Sequence, residues 1–194
     1  MSKGRLEAFS DGVIAILITI MVLELRPPES PTLTALGELK PVILSYLLSF
    51  VFLGSYWNSH HHFFQACRQV NGGVLWANLH LLFWLSLTPF VTAWMGETHF
   101  APMTVAAFGL LQLLCSLAFY GLSRALVAIH DADSPIRRAV GVDSKGKISI
   151  AIYVVSIPLA FVSRAVALVL FSLVAIMWIV PDRRIEQALA GHRG

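Results

Sequence analysis

The first chemical signal in the chain is an aspartate standing inside an apolar run. The N-terminal region reads Gly4-Arg5-Leu6-Glu7-Ala8-Phe9-Ser10-Asp11 and continues Gly12-Val13-Ile14-Ala15-Ile16-Leu17-Ile18-Thr19-Ile20-Met21-Val22-Leu23. In that continuation Thr19 is the only strongly polar side chain. A charge inside a membrane segment is costly and needs a structural or functional reason. Two chemistries suit Asp11: binding a proton or cation in a small-solute carrier, or hydrogen bonding that fixes the register of one helix against its neighbours. A second polar cluster lies at Tyr56-Trp57-Asn58-Ser59-His60-His61-His62-Phe63-Phe64-Gln65. Consecutive histidines on a helix project roughly 100° apart. The three therefore cannot all ligate one metal, which takes ligands from an i, i+4 pair or from several elements. His60 paired with His80 could hold a haem or a metal, and a polar cluster at the membrane interface is the rival reading. Trp57 and His60, at i and i+3, share a helix face and are suitable partners for Ser10, Asp11 or Arg5 at the same depth.

Membrane helices must position these groups. Of the 194 residues 57% are hydrophobic and 13% charged, and the mean hydropathy is +0.73; a soluble domain carries about 25% charged residues. The spacing of apolar runs predicts one domain, residues 1–194, with six spanning helices at about 6–25, 40–64, 74–95, 102–127, 148–162 and 165–180, since a span needs about 20 apolar residues. Pro27, Pro28 and Pro31 close the first, Pro41 suits the first turn of the second, and Pro89 predicts a kink in the third. The stretch from Ala128 to Lys147 reads as the one long polar loop, and Pro181 begins an amphipathic or disordered tail. The N-terminal segment resembles a signal peptide at first sight. Asp11 and the absence of a small-residue cleavage site before Pro27 argue instead for a retained span.

Six spans put both termini on one side. Of the 14 Lys and Arg, Arg26, Lys40 and Arg164 fall on the opposite side, and the remainder, Arg68, Arg124, Arg137, Arg138, Lys145, Lys147, Arg183 and Arg184 among them, on the terminal side. The positive-inside bias then predicts cytoplasmic termini in an inner (plasma) membrane. The formal net charge of +3 is small, and its placement at segment ends favours membrane topology over nucleic-acid binding. Cys67 and Cys115 read as buried thiols. No phosphate-binding glycine loop, Ser/His/Asp arrangement, paired catalytic carboxylates or Cys-x-x-Cys occurs, so nothing points to an enzyme. A Thr-Val-Gly-Tyr-Gly filter is also absent, and so is any convincing internal repeat of the kind many carriers show.

On the first helix Ile16, Ile20 and Leu23 fall at i, i+4, i+7 and share a stripe, which Gly12 and Phe9 extend, with Thr19 at its edge. Ordinary packing or lipid contact explains such a stripe. The opposite face, with Ser10 and Asp11, argues that the helix is not lipid-facing all round. Four such helices about an axis would make apolar rings able to gate by dewetting.

The pattern Arg5-x-x-x-Phe9-Ser10-Asp11 resembles the signature of the endosomal and lysosomal potassium channel family, transmembrane protein 175. Trp57-x-x-His60 with Phe64-Gln65, then Asn78 and Pro89, extend the resemblance over about the first half of the chain. The resemblance implies an all-α, six-helix channel unit that forms a homotetramer in the bilayer, has a central pore lined by the first helix, and conducts potassium without a cofactor. It implies a tight apolar ring at Ile16, further rings at Ile20 and Leu23, and a hydroxyl layer at Thr19 linked to potassium preference. It also implies a packing network of Arg5, Phe9, Ser10, Asp11, Trp57, His60 and Asn78. His61 and His62 lie outside the pattern.

Overall fold

Residues 2–131, 134, 136–137 and 144–179 are described in a computed structural model of the chain. The expectations for Arg138, for the end of the sixth segment and for the tail from Pro181 lie outside the described residues. The described helices are α1 (Lys3–Leu23), α2 (Leu33–Glu38), α3 (Lys40–Ala66), α4 (Gly72–Ser86), α5 (Thr88–Glu97), α6 (Pro102–Ala128), α7 (Ser144–Val162) and α8 (Arg164–Ile179). The fold is all-α and multi-pass.

Among the described residues five helical segments are long and apolar enough to cross a bilayer, with α4 and α5 together forming one of them. α8 is apolar but has 16 residues. At 1.5 Å per residue it rises about 24 Å, against a hydrocarbon core of about 30 Å.

Proline sets several boundaries. Pro27 and Pro28 follow the end of α1, and Pro41 occupies the first turn of α3, where its missing N–H is not needed. The third span breaks in two: α4 ends at Ser86, Leu87 caps it, and α5 restarts with Pro89 in its first turn. Proline removes one backbone donor and crowds the carbonyl four residues earlier, which ends a helix at this distance. The short helix α2 lies between the first and second spans, where the sequence predicts no helix. Thr32 starts it by accepting a hydrogen bond from Ala35 N at 3.2 Å, the ordinary role of a threonine N-cap.

α5 and α6 reverse through Thr98–Ala101, where His99 and Phe100 take φ of 52° and 58°. Left-handed backbone is unfavourable for such residues. Phe100 N donates to Met95 O at 2.9 Å, and Arg164 at the start of α8 donates to the carbonyls of His99 and Phe100 at 3.2 and 3.3 Å. Those bonds offset the strain.

Helix α6 sits between two layers. On one side it packs against α4 and α5, on the other against α7 and α8. Phe52, Phe108, Tyr153 and Phe171, from α3, α6, α7 and α8, form an aromatic centre with ring centroids 5.6–6.3 Å apart. Small residues permit the closest approaches. A Cβ on Gly96 would stand 2.9 Å from Val42 Cα and 2.6 Å from Ser45 Oγ, so α5 and α3 nearly touch there. α1 packs on α3, α4 and α5 and leaves its remaining surface open.

Candidate functional site

Helix α1 has one packed face. Leu6, Ser10, Ile14, Leu17 and Met21 are buried, at spacings of three or four residues, so they form one stripe. Everything chemically distinctive about α1 follows from which residues fall on that stripe, beside it or opposite.

Ser10 is the polar member of the packed stripe and is fully buried. Its hydroxyl donates to Leu6 O at 2.9 Å and accepts from Asn78 Nδ2 on α4 at 2.9 Å. The other end of the same amide, Asn78 Oδ1, lies 2.8 Å from His60 Nε2 on α3. With the amide nitrogen turned to Ser10, the oxygen is the acceptor, so His60 carries its proton on Nε2. His60 stacks on Phe64 with centroids 4.5 Å apart. One amide thus ties three helices together, and burial makes each of these bonds costly to leave unmade.

Beside that stripe runs a second, polar line. Lys3 Nζ donates to Cys67 O at 2.8 Å, Glu7 Oε1 lies 3.3 Å from His61 Nδ1, and Asp11 Oδ1 accepts from Trp57 Nε1 at 3.0 Å. The α1 partners step by four while their counterparts, Cys67 just past the end of α3 and then His61 and Trp57 within it, run backwards, the register of two antiparallel helices. The Glu7–His61 contact is close enough for an ion pair when the imidazole is protonated, but it is out of line for a hydrogen bond. His61 also meets Gln65 Nε2 at 2.7 Å and stacks on Trp57. The sequence anticipates the Asp11–Trp57 bond of this line but not the Lys3 and Glu7 contacts, although their signal is there: Lys3, Glu7 and Asp11 at i, i+4, i+8, facing Trp57 and His61 at i, i+4.

The face away from the bundle carries Arg5, Phe9, Gly12, Ile16, Thr19 and Leu23, all exposed. Ile20 is exposed beside them. Spacings of 4, 3, 4, 3 and 4 are those of a seam between parallel helices that supercoil about one another. Thr19 donates its only proton to Ile16 O at 2.8 Å, so the lone pairs of its oxygen point outward. Arg5 and Phe9 lie on this open face. Among the described residues Arg5 makes no hydrogen bond or ion pair, so within one chain the network comprises Ser10, Asp11, Trp57, His60 and Asn78 without Arg5 or Phe9.

His60 and His80 do not converge. His80 follows Asn78 by two residues, about 200° round α4, and accepts instead from Trp84 Nε1 at 2.8 Å. Among the described residues no group of three or more His, Cys, Asp or Glu could hold a metal ion. Asp11, the candidate proton or cation carrier, has its oxygen on the Trp57 indole.

The model of the family described as "Endosomal/lysosomal potassium channel TMEM175" matches residues 5–89. That span covers α1, α3 and α4, the helices that carry the network. A potassium channel of Chryseobacterium sp. (strain P1-3) is 47% identical over 189 residues, 97% of this chain and 98% of that one. A potassium channel of Streptomyces collinus is 30% identical over 190 residues, 91% of each chain. The crystal structure of a lysosomal potassium-selective TMEM175 homolog from Chamaesiphon minutus superposes with a TM-score of 0.81 at 26% identity, over 91% of this chain and 96% of that chain.

Proposed function

The chain belongs to the endosomal/lysosomal potassium channel TMEM175 family, and we propose that it is the subunit of a homotetrameric, potassium-preferring cation channel in which α1 lines the axis. The observation that carries this reading is the open face of α1, a regular seam with Ile16, Thr19, Ile20 and Leu23 along it while the opposite face is locked to α3 and α4. Four copies of that seam around an axis bring apolar rings together at Ile16, Ile20 and Leu23. An apolar constriction excludes water until it widens. In the same stretch the Thr19 oxygens, their protons committed to Ile16 carbonyls, present only lone pairs to the axis. Lone pairs replace part of the hydration shell of a cation and offer nothing to an anion. Discrimination then needs no P-loop filter and no cofactor.

In this reading the chain is a single six-helix domain in the inner (plasma) membrane, with α8 as the sixth crossing and both termini in the cytoplasm. Cation flux into proteoliposomes tests it. The wild type is expected to pass potassium faster than sodium. Ile16→Asn, which wets the constriction, should raise the leak of both ions, and Thr19→Ala should narrow the difference between them. If both variants leave conductance and selectivity unchanged, α1 does not line the pore.

A further inference from the structure

Away from α1, a groove opens between α3, α6, α7 and α8 at the end of the bundle that carries the N-terminus. It is a shallow, mostly apolar groove with about 30 Å³ of enclosed space beneath an open mouth. Its floor is aromatic, with Phe52 and Tyr153 at depth. Higher up, Tyr56 and Ser116 share a hydrogen bond at 3.1 Å, so their polarity is already satisfied. Trp178 forms one wall near the mouth, fixed by donating to Ser149 Oγ at 2.9 Å.

The mouth is basic. Gly146 lines it, flanked in sequence by Lys145 and Lys147. Lys145 Nζ stands 6.0 Å from the centroid of the Trp178 ring. Lys147 is exposed on α7, and Arg124 is exposed on α6 one turn beyond the lining residue Tyr120. Neither Lys147 nor Arg124 has a hydrogen bond or ion pair among the described residues. An apolar groove at membrane depth, flanked by two exposed cations and an interfacial tryptophan, suits an amphiphile with a long apolar chain and an anionic head. Basic pockets between membrane helices on the cytoplasmic side take anionic lipid headgroups, and each nearby Lys or Arg adds to the attraction.

We propose that this groove is a binding site for an anionic phospholipid of the leaflet that faces the N-terminus. One acyl chain lies along the groove over Tyr120 and Ile150, above the buried Tyr153 and Phe52, and the phosphate sits between Arg124 and Lys147. The lipid wedges α7 and α8 against α3 and α6, on the far side of the protomer from the open seam of α1.

Native mass spectrometry of the full chain in detergent tests this directly, with phosphatidylglycerol and phosphatidylcholine of identical acyl chains added as competing probes. The wild type is expected to retain phosphatidylglycerol about tenfold or more over phosphatidylcholine. The double variant Arg124→Gln/Lys147→Gln should lose that preference, and Ile150→Trp, which fills the groove, should retain neither lipid. Equal retention of both lipids by the wild type overturns the proposal. So does a preference that survives Arg124→Gln/Lys147→Gln, or phosphatidylglycerol retention undiminished in folded Ile150→Trp. The exposed double variant alters no packed side chain and carries the test alone if Ile150→Trp does not fold.

Discussion

The amide of Asn78 bridges Ser10 and His60, with both bonds under 3 Å and all three residues buried. A glutamine would overreach and an aspartate could donate to neither partner. The bridge fixes both the rotation and the height of α1 against α3 and α4, and so decides which residues of α1 remain open.

Asn78→Leu keeps the volume and removes both bonds. It strands the His60 Nε2 proton and should cost about 1–3 kcal/mol, the penalty of an unmet buried polar group. Ser10→Ala should cost less, because the serine proton serves a carbonyl of its own helix. The pair should be non-additive, since the two residues share one bond. Thermal unfolding in detergent of the two single variants and the double variant measures this; strictly additive losses would mean that Asn78 acts elsewhere.

Asp11 is held as an acceptor for the Trp57 indole. Asp11→Asn retains an acceptor oxygen, while Asp11→Leu does not. Ion flux and oligomer stability should therefore survive Asp11→Asn and fall in Asp11→Leu. Abolition of flux by Asp11→Asn would show that the charge itself is required and would return the carrier chemistry to contention.

Three glycines rank themselves by what a methyl would meet. Gly96→Ala brings a carbon to 2.9 Å from a backbone atom of Val42, whereas Gly109→Ala meets the Phe171 ring at 2.7 Å and Gly121→Ala meets nothing within 4 Å. A ring can tilt and a helix backbone cannot do so cheaply. Overpacking typically costs about 1–3 kcal/mol, so the expected order of destabilisation is Gly96→Ala, then Gly109→Ala, with Gly121→Ala at or above wild type. Denaturation midpoints in one detergent give the order.

Cys67, just past the end of α3, is 3% exposed. Burial pushes its thiol up, against smaller lowering influences from its bond to the Gln69 carbonyl and from Lys3. Only the thiolate attacks a maleimide, so labelling of the folded protein at neutral pH should be slow and should quicken as pH rises. Lys3→Gln removes a charge that favours the thiolate and should slow it further. Fast labelling at neutral pH would mean that the joint between α1 and the end of α3 opens.

Much of this architecture is legible in the chain. Charge and polarity are conspicuous in an apolar run, which is why Ser10, Asp11, Trp57, His60 and Asn78 stand out. Proline acts through its own missing donor, so Pro89 marks the break in the third span without any tertiary knowledge. Arg5 is harder to place, because rotation on a helix wheel says where a side chain points but not which side the neighbours take; the open seam claims it. The Glu7–His61 contact escapes a reading that weighs the three histidines as ligands and not as one line of an antiparallel register. Helix α2 depends on a single threonine cap among polar residues, a weak local cue. The groove beside Trp178 has no local cue at all, since four segments distant in sequence build it.

The interruption at Leu87 has a mechanical consequence. On one side of it, α4 grips α1 at Ser10 through Asn78. On the other, α5 meets α1 at Met21 through Thr92, whose hydroxyl lies 3.9 Å from the thioether sulfur and 2.6 Å from Ser49 Oγ. An unbroken helix would transmit any twist from one grip to the other. A jointed one breaks that direct path, so the two grips are linked through α1 itself, which runs unbroken from Lys3 to Leu23.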